Sequence, residues 1–251
     1  MSQSLAFGIA ERIREAGQIT ASRLTARSGV SRMTQRRIDT GESEATLHTI
    51  RELAIAAGLD LAVSLVPLSD PDAAAGARSI LDDTVADADL TDSAITWAAR
   101  LRRFAGQGLD PIDVVAEAGR ATAPLQRDGA ILLRGDWDDL KLASAATAAR
   151  GTWVISGDPV LRRIASRDTG QVGAAIVYAD DPTAVARYLT HLRPARPATA
   201  NVAILPMAGI FLVDSWEDGP LRLVAPVQAI IDSIGLGGVA ADVALNIARS
   251  W

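Results

Sequence analysis

The sequence predicts two unlike units in one chain: a small all-α unit first, then a larger α/β or α+β unit. Three observations carry this. At 251 residues the chain is longer than one small domain requires. Over 1–68 the apolar residues recur mainly at helical spacing, whereas from about Ala130 short apolar runs alternate with helical stretches, as in a sheet packed by helices. Between these regions the composition shifts toward aspartate. The expected boundaries are 1–68 for the first unit, 69–92 for an acidic linker and 93–251 for the second unit.

Each element of the first unit has a local reason. Leu5, Ile9 and Ile13 recur at spacing four, giving a helix that runs to about Ala16 before Gly17 stops it. Thr20 can cap a second helix over Ala21–Ser28, with Leu24 facing inward. Gly29 supplies a turn, and Ser31 can cap a third helix reaching about Thr40. At 100° per residue Val30, Thr34 and Ile38 share one face, while Arg32, Met33, Arg36 and Arg37 share the opposite one. Thr46 caps a fourth helix with Leu47, Ile50, Leu53, Ala54 and Ala57 as its inner stripe, ended by Gly58. Leu59, Leu61, Val63 and Leu65 then alternate as in a strand, which needs a partner. Its symmetry mate is preferred over the second unit.

Composition narrows the function. Hydrophobic residues make up 49% of the chain, enough for a sizeable core. The absence of cysteine excludes disulfides, thiolate catalysis and Cys-ligated zinc. No apolar run approaches the ~18 residues of a membrane span, and the amphipathic start is unlike a signal peptide, so a cytoplasmic protein without a membrane partner is expected. The net charge of −5 is unevenly spread. Residues 1–67 hold eight arginines against seven acids, about +1, leaving 17 basic minus 23 acidic, or −6, for the rest. Arg23, Arg27, Arg32, Arg36 and Arg37 occur with no acid between Thr20 and Ile38. Helix, tight turn and arginine-rich helix form the unit that sets its second helix in a major groove, where the guanidinium fork fits guanine.

Residues 5–65 resemble the lambda-repressor-like helix-turn-helix family, also called XRE or Cro/C1-type. The matching residues are Arg14, Thr20, Leu24, Gly29, Val30, Ser31, Arg32, Ile38, Asp39 and Gly41, followed by LHTIRELAIAAGLDL. The resemblance implies that Arg32, Met33 and Arg37 touch bases and that Arg14 and Asp39 form a structural ion pair. The expected DNA-contacting set is Thr20, Arg23, Ser31, Arg32, Met33, Thr34, Arg36 and Arg37. Ala21 stands where the family commonly has a phosphate-contacting Gln, and Gln35 where it usually buries Ile or Val.

In 69–92, Asp70, Asp72, Asp82, Asp83, Asp87, Asp89 and Asp92 face only Arg78, which reads as a solvated connector with one short helix at GARSILDDTVA. Beyond it TDSAITWAARLRRFAG reads as a helix with Ile95, Ala98 and Leu101 inside, and DPIDVVAEAGRATAP as another. Strands are expected at AILLR (central), GTWVIS, AAIVYA, NVAILP, IFLVDS and GPLRLVAP. Helices are expected at 136–149, DPVLRRIAS, DPTAVARYLTHL, VQAIIDSIG and VAADVALNIARSW.

Chemistry has few handles here. Asp136 and Asp138 in RGDWDD resemble a magnesium-holding Asp-x-Asp pair, which would make the chain a metal-dependent nucleotidyltransferase, but a preceding Gly-Ser and a third acid are missing. The simpler expectation is that Asp136 caps the following helix. His48 and His191 lack metal-spaced partners, and Gly235, Gly237 and Gly238 lack the preceding strand and lysine of a phosphate loop. No enzymatic activity, metal or cofactor is expected.

The runs GTWVISGDPVLRRIA, VYADDPTAVARYL, NVAILP and LRLVAPVQAIIDSIGLGGVAADVALNIARSW resemble the C-terminal domain of AbiEi-type antitoxin regulators. The most specific part is Ala225-Pro226-Val227-Gln228 with Asp232 one turn later. The resemblance implies an autoregulating transcription factor or the antitoxin of a type IV toxin–antitoxin system. The expectation is a homodimeric repressor or autoregulator acting on double-stranded operator DNA, with a toxin partner or a small-molecule effector at its second unit.

Overall fold

The computed structural model describes residues 8–82, 85, 90–165 and 170–251. The chain divides into two compact units, 1–66 and 67–251. Among the described residues there are twelve α-helices and one seven-stranded mixed sheet, so the protein is a multidomain α/β protein. No helix among them is long and apolar enough to cross a membrane.

The first unit contains α1 (Ile9–Ala16), α2 (Ala21–Ser28), α3 (Arg32–Asp39) and α4 (Leu47–Ala56). Leu5 lies outside the described residues. Ala10, Ile13, Leu24, Leu53 and Ala56 form the buried centre, with Ile50 and Ala57 partly buried around it. The ends of α1 and α4 meet so closely that a Cβ on Gly17 would stand 2.7 Å from the Ala57 side chain. Leu47, expected inside, is exposed, because it heads α4 one turn before the packed residues begin.

Within the single chain no strand forms over 59–65, and the other described elements of the first unit are all helices. Residues 59–70 have no regular secondary structure, and Leu65 is 97% exposed. The alternating pattern finds no strand of its own unit to take its backbone hydrogen bonds.

The second unit is built on strands β1 (Ile131–Arg134), β2 (Trp153–Gly157), β3 (Ala175–Ala179), β4 (Arg193–Pro194), β5 (Val202–Pro206), β6 (Trp216–Asp218) and β7 (Leu221–Leu223). Their order is β4-β1-β5-β3-β2-β7-β6. β3/β5 and β2/β7 are parallel and the other neighbours antiparallel. β2, β3 and β5 are almost wholly buried, as their unbroken apolar runs require. β1 is not central: it lies next to the edge strand β4 and is only half-buried. Helices α8 (Asp139–Ala148), α9 (Asp158–Ile164), α10 (Pro182–Tyr188), α11 (Pro226–Leu236) and α12 (Gly238–Ala248) complete this region.

The acidic stretch corrects the linker expectation. Its first half is α5 (Pro71–Leu81), which packs against α6 (Asp92–Phe104) and α7 (Pro111–Thr122) with Ala73, Ala74, Ala75, Ala77 and Arg78 buried. Asp70 caps α5 and accepts a 2.7 Å hydrogen bond from Trp97 Nε1. Its small residues permit the approach: a Cβ on Gly76 would lie 2.7 Å from the Ala94 carbonyl oxygen. Asp83, Asp87 and Asp89 lie outside the described residues. On α6 the inner stripe is Ala94, Trp97, Ala98 and Leu101, and Ile95 is exposed.

IFLVDS is a 3-10 turn (Gly209–Leu212) rather than a strand. Its backbone serves a different partner: Arg78 Nη1 donates to the Ile210 carbonyl at 2.7 Å and Nη2 to the Val213 carbonyl at 3.0 Å. Phe211 stacks on Tyr178 with ring centroids 3.9 Å apart.

Candidate functional site

The segment from Thr20 to Asp39 is built from two capped helices and a short turn. Thr20 Oγ1 accepts from the Arg23 amide at 3.3 Å and Ser31 Oγ from the Thr34 amide at 3.1 Å, so both helices start on side-chain caps. Gly29 ends α2 with φ at 69°, in open space where only the backbone conformation calls for glycine.

The inner face of α3 differs from the expected Val30–Thr34–Ile38 set. Gln35 and Ile38 are buried, Val30 is partly buried and Thr34 is exposed. A polar side chain is buried at 35 because its amide is used: Nε2 donates to Val30 O at 2.9 Å and to Thr25 Oγ1 at 3.0 Å. Thr25 in turn donates to the Ala21 carbonyl at 2.9 Å. One chain of hydrogen bonds therefore ties α2, the turn and α3 together. This is what allows Gln where an aliphatic residue was the expected occupant.

The remaining surface of α3 presents Arg32, Met33, Thr34, Arg36 and Arg37, all exposed. Arg32 Nη2 donates to Ser22 Oγ on α2. Arg37 lies 3.9 Å from Glu42, with both side chains more than half exposed, an arrangement of little energetic weight. Arg23 and Arg36 have no ion pair among the described residues. Arg14 Nη1 stands 3.5 Å from Asp39 Oδ2. Asp39 has a second task that spacing did not disclose: its Oδ1 accepts from the Ala10 amide at 2.9 Å and the Glu11 amide at 3.3 Å. It thereby caps α1, whose own N-cap is Gly8 and has no side chain to offer.

In the second unit, Asp138 rather than Asp136 caps α8, accepting from the Lys141 amide at 2.8 Å. The Lys141 backbone and side-chain hydrogen bonds hold the Asp138 carboxyl below its usual range. Asp136 is exposed two residues earlier. Among the described residues no three His, Asp or Glu side chains converge as metal ligands. Asp139 instead pairs with Arg162 at 2.9 Å and Arg163 at 2.7 Å, beside a cavity of about 750 Å³. Both guanidinium groups are thus already matched to carboxylates. Gly235 serves close helix packing, not phosphate binding: a Cβ there would meet Thr122 Oγ1 at 2.8 Å.

The two polar residues of the Ala225–Asp232 motif are buried. Asp232 accepts from Ser156 Oγ at 2.5 Å, Tyr178 OH at 2.9 Å and Gln228 Nε2 at 2.9 Å. Burial pushes its carboxyl above the ordinary range, opposed by these donors and by the nearby Arg127 guanidinium. Burial also pushes the Tyr178 hydroxyl up. This motif joins α11 to β2 and β3 and offers no surface chemistry. A separate cavity of about 830 Å³ is mainly apolar, lined by Pro111, Ile112, Val115, Pro226, Val227 and Trp251 among others. No family model matches the chain, and neither a curated protein nor a solved structure does.

Proposed function

We propose that the chain is a sequence-specific DNA-binding transcriptional regulator, a dimeric repressor or autoregulator whose first unit is a helix-turn-helix head. The observation that carries this reading is the outer side of α3, where Arg32, Met33, Thr34, Arg36 and Arg37 are exposed on a capped helix. No acid interrupts Thr20–Ile38 in a chain of net charge −5, so the cationic surface is local and gives orientation. Arg36, Arg37 and Met33 face base edges, Arg32 exchanges its Ser22 contact for DNA, and Thr20, Arg23, Ser31 and Thr34 serve the phosphates. The exposed apolar segment around Leu65 supplies a surface for the second copy. The AbiEi-like motif supports autoregulation, with a toxin as the partner to seek in the neighbouring gene.

Fluorescence anisotropy with the protein's own upstream DNA tests this. Arg36→Ala and Arg37→Ala are each expected to lose about 1–3 kcal/mol on the specific duplex and to relax one base position. Parent-like binding by both variants would remove α3 as the reading helix.

A second reading, regulation by a small effector, is favoured by the apolar cavity at Val115, Val227 and Trp251, whose size suits a metabolite. A thermal-shift screen checks it, since a ligand of the folded state must raise the melting temperature.

A further inference from the structure

We infer that the second unit carries its own binding surface for the phosphate backbone of double-stranded DNA, centred on Arg134 and Arg193; this rests on the DNA-regulator reading. The register of the β1/β4 pair sets these two arginines directly opposite each other, so their side chains stand on one face of the sheet. Both are exposed. Like charges placed directly across a strand pair repel, and neither arginine forms an ion pair among the described residues. Among the described residues Arg78, Arg120, Arg162 and Arg163 of this unit sit on carboxylates, and Arg100, Arg102, Arg103, Arg150 and Arg222 do not; what sets Arg134 and Arg193 apart is that the register holds two unpaired cations side by side. The nearest acid in sequence to Arg134, Asp136, does not pair with it.

The surrounding sequence adds to this local positive charge. From Pro182 to Val213 there is no acidic residue, although residues beyond 67 carry a net charge of about −6, 17 basic against 23 acidic. Within that stretch Arg187, His191 and Arg196 are exposed as well, and none forms an ion pair among the described residues. β4 lies at the sheet edge and ends in Pro194, which has no amide to offer a further strand. The edge is therefore closed to strand addition and open to an anion. A duplex backbone, with closely spaced phosphates, satisfies several forked guanidinium groups at once without reading sequence.

The test uses the full chain and two labelled 40-bp duplexes, the protein's own upstream DNA and an unrelated sequence of equal length, titrated over a range of salt. Arg134→Gln/Arg193→Gln is expected to weaken binding to both duplexes by a similar factor, roughly tenfold, and to lower the slope of log affinity against log salt by about 2. Arg134→Glu/Arg193→Glu should weaken both further, and circular dichroism with an unchanged melting temperature shows that each variant is folded. If α3 does not read bases, wild type binds both duplexes alike and the edge variants still weaken both, so the two readings fail separately. Unchanged affinity and slope in folded variants overturn the proposal, as does self-association of the variants without loss of DNA binding, which would make the arginines guards of the sheet edge.

Discussion

The side-chain amide of Gln35 donates a 2.9 Å hydrogen bond to the backbone carbonyl of Val30, fastening α3 to the turn that precedes it. The same nitrogen reaches Thr25 on α2 at 3.0 Å. A buried polar side chain at the centre of a short helical hairpin sets the relative position of the two helices through two directed bonds, where an aliphatic residue would do so through packing alone.

Gln35→Ala should therefore destabilise the first unit by about 2 kcal/mol, since it leaves Val30 O and Thr25 Oγ1 with lost partners and opens a cavity. Gln35→Leu refills the volume and should recover part of that loss. Thermal unfolding followed by far-ultraviolet circular dichroism checks the order wild type, Leu, Ala. Equal melting temperatures for the Ala variant and wild type would mean that Gln35 does not hold the turn.

Arg78 makes a comparable claim for α5. Its buried guanidinium holds the carbonyls of Ile210 and Val213 and lies 3.3 Å from Asp82 and 3.5 Å from Asp214. Arg78→Ala should cost about 3 kcal/mol or more, because partners are left unpaired in the interior. Arg78→Met keeps much of the packing and should fall between. Denaturant unfolding of the three proteins gives the ranking, and a neutral Arg78→Ala would restore the solvated-connector view of 69–92.

How much of this was legible depends on where each residue's partner lies. The caps at Thr20, Ser31 and Thr46, and the strands β2, β3 and β5, follow from local chemistry and from apolar runs, and are legible without any distant partner. Arg78 is hidden because its acceptors are 132 and 135 positions away, so an alanine-rich helix flanked by aspartates reads as a linker. Gln35 was visible as a departure but its role was not, since Thr25 meets it only after the hairpin folds. At 59–65 the period-two spacing describes side chains alone, whereas a strand also needs a neighbouring backbone, which the helical first unit does not itself supply. The paired arginines 134 and 193 could be found only from the β1/β4 register.

Gly119 and Gly235 mark the tightest helix contact. A Cβ on Gly119 would come within 2.3 Å of Ile234 Cγ2, so Gly119→Ala must push α7 and α11 apart. Overpacking of this kind costs about 1–3 kcal/mol. Adding Ile234→Ala should return part of the loss, as the clashing methyl is removed. A double-mutant cycle by thermal unfolding measures this; strict additivity of the two changes would show that the contact is not the source of the strain.

Asp232 makes stability depend on pH in a direction opposite to the common acid-denaturation case. Burial raises its folded-state pKa above the ordinary aspartate value. In the window between those two values the folded state binds more protons than the unfolded one, so stability falls as pH rises through it. Below the ordinary value both states are protonated and the contribution is fully present; above the folded-state pKa it has been lost. Asp232→Asn mimics the neutral carboxyl and cannot titrate. The melting temperature of wild type relative to this variant should therefore decline as pH climbs from the acid side, then level off. Asp232→Ala, which strands the buried Ser156 and Tyr178 hydroxyls and the Gln228 amide, should be destabilised by about 3 kcal/mol at every pH. A wild-type advantage that grows with pH would mean that the donors from Ser156, Tyr178 and Gln228, together with Arg127, outweigh burial and keep the carboxylate charged.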